Sequence, residues 1–288
     1  MIASTAPNTL ATYKQGLNCY NAFCVEVQGK CIWPPSLNDV VQFVAYMSLK
    51  ALSFATAKAY LAGISYYCKT QDKPDVTNHF LARKVLEGLR RQKRQNDTRL
   101  PITLQLLDRI IKILPNICTN TYETSLFSAA FALAYFALLR VGEVTYTLSN
   151  HCISKNDILL NYKDYTIEVK VRHSKTDQLG KGEKVLIPKV LEPVNPFQMI
   201  EEFLKKRPGF SGALFCHFGG DPLSRYQFTS VLKKALHYLG MESKNYKSHS
   251  FRIGAASDLA QQGKSEDEIK IAGRWKSHAY RSYIRLPH

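Results

Sequence analysis

The sequence predicts a mainly α-helical protein of the α+β class, in which an N-terminal helical bundle precedes a mixed domain with a small antiparallel sheet. Three observations predict this organisation. Apolar residues recur at helical spacing through the first hundred residues, strand-like patterns occur only later, and a polar stretch closed by a proline separates the two regions. With 288 residues, 45% of them hydrophobic, the chain is long enough for two domains that each bury a core.

The first domain is predicted to span residues 1–95 as a helical bundle. Its helices are predicted at residues 9–27, 36–50, 55–68 and 78–94. Ser36 and Asp39 have the spacing of an N-terminal cap for the second helix, directly after the break at Pro34 and Pro35. Residues 96–101 are predicted to form a linker.

The second domain is predicted to span residues 102–288. Its helices are predicted at residues 104–114, 121–139, 195–206, 225–239, 249–262 and 265–272, and its strands at 158–160, 166–172 and 183–188. Gly180 and Gly182 lie in the turn between the last two strands, as the longer loops of hairpins favour. Ser265 and Glu268 form a capping box at the start of the last helix.

The chain is strongly basic, with 39 Lys and Arg against 23 Asp and Glu and a formal net charge of +16. Both predicted domains carry more basic than acidic side chains. This balance is consistent with a polyanionic partner that touches both domains. The alternative is that scattered lysines only keep the protein soluble.

The seven cysteines are an odd number and contain no C-x-x-C pair. This pattern argues against a disulfide framework and against a zinc site, so no metal is expected and the thiols indicate a reducing, intracellular location. The first residues lack the charged and apolar regions of a secretory signal. The apolar stretch 126–139 is too short to span a bilayer, which needs about 20 residues, and is interpreted as a core helix that ends at Arg140.

A basic run ends the fourth predicted helix, just before the linker. Its cationic residues are Arg90, Arg91, Lys93 and Arg94. Cations at a helix C-terminus can simply interact with the helix dipole and the solvent. We favour a role in following a phosphate backbone, because the run connects two basic domains.

A series of residue types in chain order carries the functional signal. Its members are Arg140, Lys175, His249, Arg252, Trp275 and Tyr283, with His249 and Arg252 three residues apart and Trp275 within Gly273-Arg274-Trp275. The series resembles the catalytic set of the tyrosine recombinases, also called the phage-integrase family. The ending, with Tyr283-Ile284-Arg285, is similar to eukaryotic mobile-element recombinases of the DIRS-like and Crypton-like kinds.

The resemblance implies a DNA strand transferase that cuts and rejoins DNA through a 3′-phosphotyrosine. Tyr283 would be the nucleophile, while Arg140 and Arg252 would hold the non-bridging phosphate oxygens in a fork. His249 and Trp275 would also contact the phosphate, and Lys175 would protonate the leaving 5′ oxygen. Glu143 would not contact the phosphate and would instead orient the residues that do.

The resemblance also assigns the domains and the partners. Residues 1–95 would be a core-binding domain that binds DNA, and residues 102–288 the catalytic domain. Double-stranded DNA is the implied partner, with a homo-oligomer such as a tetramer on synapsed DNA. Neither a cofactor nor a metal nor a membrane is implied, and the location would be the nucleus if the source is eukaryotic.

Each residue also has a structural alternative. Arg140 could pair with Glu143 alone, His249 and Arg252 could be a surface pair, and Trp275 could be a core residue. Tyr280 is the rival nucleophile. The lysines that could replace Lys175 in the hairpin are Lys170, Lys181 and Lys184.

Two other functions remain open at this point. One is an inactive, domesticated protein of mobile-element origin that only binds DNA. The other is a strand transferase of the type IB topoisomerase kind, which shares much of this chemistry.

Overall fold

A computed structural model describes residues 5–92, 97–146, 152–172 and 182–285. The chain divides into two compact units, Met1–Asp97 and Thr98–His288, and each has its own hydrophobic core. The mainly helical α+β class predicted from the sequence is confirmed.

The first unit is a helical bundle. Its helices are α1 (Pro7–Phe23), α2 (Leu37–Leu49), α3 (Phe54–Thr70) and α4 (Phe80–Gln92), and a π-helical turn (Cys24–Gln28) follows α1. The cap predicted for α2 is present, because Ser36 and Asp39 exchange hydrogen bonds as a capping box. Local sequence therefore determines where this helix begins.

Aromatic rings fill the core of the first unit. Tyr20 and Phe43 are fully buried, and their rings meet edge to face with centroids 5.2 Å apart. The Trp33 ring also lies edge-on to Tyr20, with centroids 5.2 Å apart. Edge-to-face geometry places the positive ring edge against the negative ring face, which stabilises such pairs beyond the burial of their area.

The second unit combines helices with a small sheet. Its helices are α5 (Leu104–Ile117), α6 (Thr121–Phe136), α7 (Val141–Val144), α8 (Pro196–Lys206), α9 (Arg225–Tyr238), α10 (Ser250–Gln261) and α11 (Glu266–Gly273). The strands are β1 (Ile158–Asn161), β2 (Thr166–Val171) and β3 (Glu183–Ile187), paired antiparallel in the order β1-β2-β3. A 3₁₀ helix (His278–Tyr283) follows α11.

Helix α6 is the centre of the second core, since almost all of its residues from Ser125 onward are buried. Phe131 on α6 contacts Phe228 at 4.9 Å and Phe251 at 5.2 Å between ring centroids. It thereby joins α6 to α9 and α10. A helix that is apolar on all sides belongs inside a core, as the sequence predicted for this stretch.

Helix α6 ends three residues earlier than predicted. It stops at Phe136, and Leu138 adopts a left-handed conformation with φ 45°. The short helix α7, which the sequence pattern did not predict, begins directly after Arg140. The chain therefore turns sharply between α6 and α7, and this turn belongs to the candidate site described below.

Helix α10 lies against the beginning of α5 at very short range. A Cβ atom at Gly254 would lie 1.7 Å from the carbonyl oxygen of Ile102, so only glycine fits here. The Ile102 N–H donates to the carbonyl of Ser250 at 2.9 Å. This contact fixes the helix that carries two of the sequence-predicted site residues. Among the described residues, no helix has both the length and the apolarity that crossing a bilayer would require.

Candidate active site

Arg252 lies at the centre of the candidate site, on α10. Only 1% of its surface is exposed. Its Nη1 donates to the carbonyl oxygen of Leu138 at 2.6 Å, and its Nη2 donates to the carbonyl of Gly273. Two backbone acceptors therefore hold the guanidinium plane. Its Nε has no acceptor among the described residues.

Glu143 is a buried carboxylate that joins two arginines. Its Oε1 accepts from Arg140 Nη1 at 3.0 Å, while its Oε2 accepts from the Arg140 N–H at 2.9 Å and from Arg274 Nη2 at 2.8 Å. Only 5% of the Glu143 side chain and 4% of the Arg274 side chain are exposed, against 22% for Arg140. Arg140 is thus the partner in this trio that remains open to solvent.

The pairing of Arg140 with Glu143 that the sequence left as an alternative is present. The expectation that Arg140 ends the apolar helix is wrong, because the residue follows the turn after α6 and caps α7. Arg274 is a residue that the sequence analysis did not single out. The sequence feature that could have pointed to it is its position between Gly273 and Trp275, in a segment already assigned to the candidate site.

Trp275 packs against the face of Arg252, with the guanidinium carbon 4.3 Å from the ring centroid. The ring lies so close to the end of α11 that a Cβ atom at Gly273 would be 1.7 Å from Trp275 Cζ3. Trp275 is 9% exposed. Trp275 is therefore a core residue, the alternative considered from the sequence, and it also packs on Arg252; its contact with a phosphate stays a prediction.

Tyr283 lies at the end of the 3₁₀ helix and is partly exposed. Its ring centroid is 5.1 Å from that of Trp275, 6.5 Å from that of His249, and 5.6 Å from the guanidinium carbon of Arg252. The Arg285 N–H after it donates to Ser257 Oγ on α10 at 2.8 Å. The same helix that carries Arg252 thereby anchors the tyrosine segment.

Tyr280, the rival tyrosine, is placed differently. It is buried, with 1% exposed, and its hydroxyl accepts from Arg281 Nε at 3.3 Å. Lys270 lies 5.5 Å from its ring centroid, and Arg281 also pairs with Glu266 at 3.1 Å. These contacts attach Tyr280 to α11, whereas Tyr283 faces Arg252.

The electrostatics of the site follow from the clustering of these cations. Burial and the neighbouring charges of Arg140 and Arg274 lower the pKa of Arg252 to about 9, which leaves it protonated at neutral pH. Burial, with the charges of Arg99 and Arg252, lowers the pKa of His249 below its ordinary value, so the imidazole is neutral at pH 7. Arg140 and Arg274 share the Glu143 carboxylate, while Arg252 beside them has only backbone carbonyls as acceptors. A site with three cations and one carboxylate favours an anionic ligand.

Residues 102–285 match the model of the phage integrase family. This match covers well over half of the chain. The chain belongs to the phage integrase family. No curated protein sequence matches it.

Solved structures of other tyrosine recombinases share the fold of this phage integrase family member. The XerH site-specific recombinase in its post-cleavage complex with palindromic difH substrate has a TM-score of 0.69 at 17% identity, covering 97% of this chain and 76% of that chain. The Tn1549 transposon integrase in complex with transposon right end DNA has a TM-score of 0.68 at 15% identity, covering 99% of this chain and 91% of that chain. A lambda integrase dimer bound to a COC′ core site has a TM-score of 0.64 at 16% identity, covering 97% of this chain and 89% of that chain.

The described part of this phage integrase chain brings together Arg140, Glu143, His249, Arg252, Trp275 and Tyr283. Lys175 and the alternative Lys181 lie outside the described residues. Of the other hairpin lysines, Lys184 pairs with Glu168 at 2.8 Å, and Lys170 lies opposite Lys184 in the ladder between β2 and β3.

The basic run before the linker is only partly described. Arg90 and Arg91 are exposed at the end of α4, where Arg91 pairs with Glu87 at 3.1 Å and the Arg90 guanidinium carbon is 5.9 Å from the centroid of Phe54. Lys93 and Arg94 lie outside the described residues. Within the described ranges, no three His, Cys, Asp or Glu side chains are arranged to hold a metal ion.

Proposed function

We propose that this chain is a site-specific DNA recombinase or integrase that cuts and rejoins DNA through a 3′-phosphotyrosine formed on Tyr283. The observation that carries the proposal is the position of the Tyr283 ring, 5.6 Å from a buried guanidinium that is held on two backbone carbonyls. A preorganised cation next to a phenol can bind the phosphate within reach of the phenol and stabilise the charge that develops when the phenol attacks.

The site favours a phosphodiester because of its charge. Arg140, Arg252 and Arg274 together carry three positive charges, and Glu143 neutralises one of them. Arg140 is the most exposed of the three. With Arg252 it forms the pair of guanidiniums that binds the two non-bridging oxygens and stabilises the charge that develops during attack.

In the first step, Tyr283 Oη bonds to phosphorus and the bond from phosphorus to the 5′ oxygen breaks. The phenol proton leaves to a base, and His249, neutral at pH 7, is available for this task. The departing 5′ oxygen takes a proton from Lys175. In the second step, a 5′ hydroxyl gives its proton to Lys175 and bonds to phosphorus while the bond from phosphorus to Tyr283 Oη breaks. The tyrosine takes back its proton from His249, and the phosphodiester is restored.

Charge neutralisation by guanidiniums makes the reaction metal-independent in this proposal. The energy of the phosphodiester is retained in the phosphotyrosine, so no nucleotide cofactor enters the balance. Cleavage is therefore expected to continue in the presence of a chelator such as EDTA. A strict requirement for added divalent cation would contradict this part of the proposal.

The first unit is proposed to bind the DNA backbone as a core-binding domain. A groove of about 540 Å³ on this unit is lined by apolar, aromatic and polar side chains, by the carboxylate of Glu87, and by four cations. We call it the basic groove after these cations, which are Lys58, Lys69, Arg83 and Arg90; Lys69 also pairs with Asp75 at 3.2 Å. All four residues are exposed. Cations along one groove neutralise successive phosphates and release their counterions, which is the main source of affinity for duplex DNA.

The test is covalent trapping. The chain is incubated with a pool of random-sequence duplexes that carry 5′-bridging phosphorothiolates, and adducts are isolated by denaturing electrophoresis and mapped by mass spectrometry. The proposal expects an adduct on Tyr283, together with rejoined products from unmodified DNA. DNA binding without any adduct would favour the inactive DNA-binding protein. Relaxation of supercoiled plasmid without site preference would favour a topoisomerase.

A further inference from the structure

Arg274 occupies a backbone position that disfavours arginine. It follows the last residue of α11 in a left-handed conformation, with φ 54° and ψ 44°. The turn is closed by backbone bonds, from the Arg274 N–H to Ile271 at 3.1 Å and from the Trp275 N–H to Lys270 at 2.9 Å. Helix ends of this kind usually place glycine here, because a Cβ atom makes the conformation unfavourable. The backbone therefore gives no reason for an arginine.

The reason lies in the side chain. Arg274 Nη2 donates to Glu143 Oε2 at 2.8 Å and reaches the Leu138 carbonyl at 3.4 Å. Its Nε and Nη1 are buried without an acceptor among the described residues. Buried donors without acceptors reduce stability, so this arginine is a poor choice if its role is only to hold the fold together.

The consequence for Arg140 follows from the two oxygens of Glu143. If Arg274 did not hold Oε2, that oxygen would keep only the Arg140 N–H as a donor, and the carboxylate could turn to take a second guanidinium nitrogen of Arg140 in a bidentate pair. With Oε2 engaged by Arg274 Nη2 and the Arg140 N–H, Arg140 gives Glu143 only Nη1 from its side chain. Among the described residues, the other side-chain nitrogens of Arg140 donate to no acceptor, which leaves them able to face a ligand.

We propose that Arg274 is a positioning residue, which acts through Glu143 to keep the Arg140 guanidinium open and aimed at the scissile phosphate. This inference rests on the proposed function, since it gives Arg274 a role in phosphate transfer. Arg274 acts through its contacts and not on the substrate, because its Nη2 is engaged by Glu143 Oε2 and by the Leu138 carbonyl.

The experiment measures single-turnover formation of the Tyr283 adduct at increasing DNA concentrations, for the full chain and for Arg274→Gly. Glycine suits the left-handed turn and removes only the side chain. The expected loss is about 10-fold to 100-fold in the maximal rate, by analogy with residues that orient the ligands of a metal ion, with little change in the half-saturating DNA concentration. Asp72→Gly is the matched control, because Asp72 is also left-handed, with φ 50°, but lies in the first unit. Its rate should equal that of the wild type.

A double-mutant cycle with Arg140→Lys separates positioning from a purely structural role. If Arg274 acts on Arg140, the effect of Arg274→Gly should shrink by a factor of about 5 or more in the Arg140→Lys chain, since members of one ion-pair network are coupled by factors of roughly 2 to 150. Arg274→Lys, which keeps the charge without the fork, should fall between glycine and wild type. It takes the place of the glycine variant in the cycle if that variant does not fold.

The outcomes are distinct. An unchanged rate in Arg274→Gly, or an equal loss in both backgrounds, would overturn the positioning role and leave the proposed function standing. A wild-type chain that forms no adduct on any duplex would overturn the proposed function, and the positioning role would fall with it.

Discussion

Replacement of Glu143 by glutamine is the perturbation for which the structure predicts the largest effect on stability. Glutamine keeps the size of the side chain and removes its charge. Arg140 Nη1 and Arg274 Nη2, at 3.0 and 2.8 Å, would lose their anionic partner, and the amide of glutamine would face at least one of these donors. Arg274 is too buried to recruit water instead.

The magnitude follows from burial. Removing one partner of a buried ion pair costs about 3–5 kcal/mol, because an uncompensated charge remains inside. Arg140 is the more exposed of the two partners and can be hydrated, so we expect the lower end, about 3 kcal/mol. For a unit of this size, that loss lowers the midpoint of thermal unfolding by about 6–12 °C.

The assay is thermal and urea unfolding of the full chain, followed by circular dichroism. Glu266→Gln is the matched control, because Glu266 pairs with Arg281 at 3.1 Å while 56% of its side chain is exposed. Such a surface pair contributes about 0–1 kcal/mol. The double variant Glu143→Gln with Arg274→Gly should recover part of the stability, since it removes the buried charge that lost its partner. A Glu143→Gln chain within about 1 kcal/mol of the wild type would refute the reasoning.

Three further predictions concern the reaction and its partner. Tyr283→Phe should abolish the covalent adduct and keep DNA binding, whereas Tyr280→Phe should still form it; mass spectrometry that maps the adduct to Tyr280 would reverse the assignment. Because the pKa of His249 is lowered in the folded chain, the unfolded chain takes up this proton first, so the free energy of unfolding should fall as the pH drops below about 6.5. His249→Gln should flatten that part of the curve, and an unchanged curve would mean that His249 is not the titrating group. Replacing the four cations of the basic groove by glutamine should reduce the slope of log affinity against log salt. The reduction should be about 0.9 for each phosphate that the variant no longer neutralises. A slope equal to that of the wild type would show that the groove does not contact the DNA backbone.

The elements that the sequence predicted well are those determined by local interactions. The N-cap predicted at Ser36 and the capping box predicted for Ser265 with Glu268 are both present, because each needs only residues three apart. The all-apolar stretch of α6 is buried as predicted. Fold class followed from these local patterns, and the match to the phage integrase family confirmed the resemblance that the residue series carried.

The turn after α6 could not be predicted in the same way. The Leu138 carbonyl accepts from Arg252, which lies 114 residues later in the chain. No local pattern indicates that a helix of strong apolar character should stop at Phe136 to present this carbonyl. The contact between Glu143 and Arg274 spans 131 residues and escaped prediction for the same reason. Arg274 also contradicts the ordinary preference for glycine at a left-handed helix end.

Leu138 and Arg274 share two features that explain how the site is held. Both adopt left-handed backbone conformations without being glycine, and such residues cost about 1–3 kcal/mol each and persist only where their surroundings impose them. Both turns also present a carbonyl to the buried Arg252 guanidinium, and the first of these acceptors is the carbonyl of Leu138 itself. The second acceptor of Arg252 is the carbonyl of Gly273, directly before Arg274. Arg252 is therefore oriented by two backbone segments that lie at strained turns, and its direction is fixed before any phosphate arrives. An enzyme that stabilises charge in a transition state gains from such preorganisation, because the donors need not reorient during the reaction.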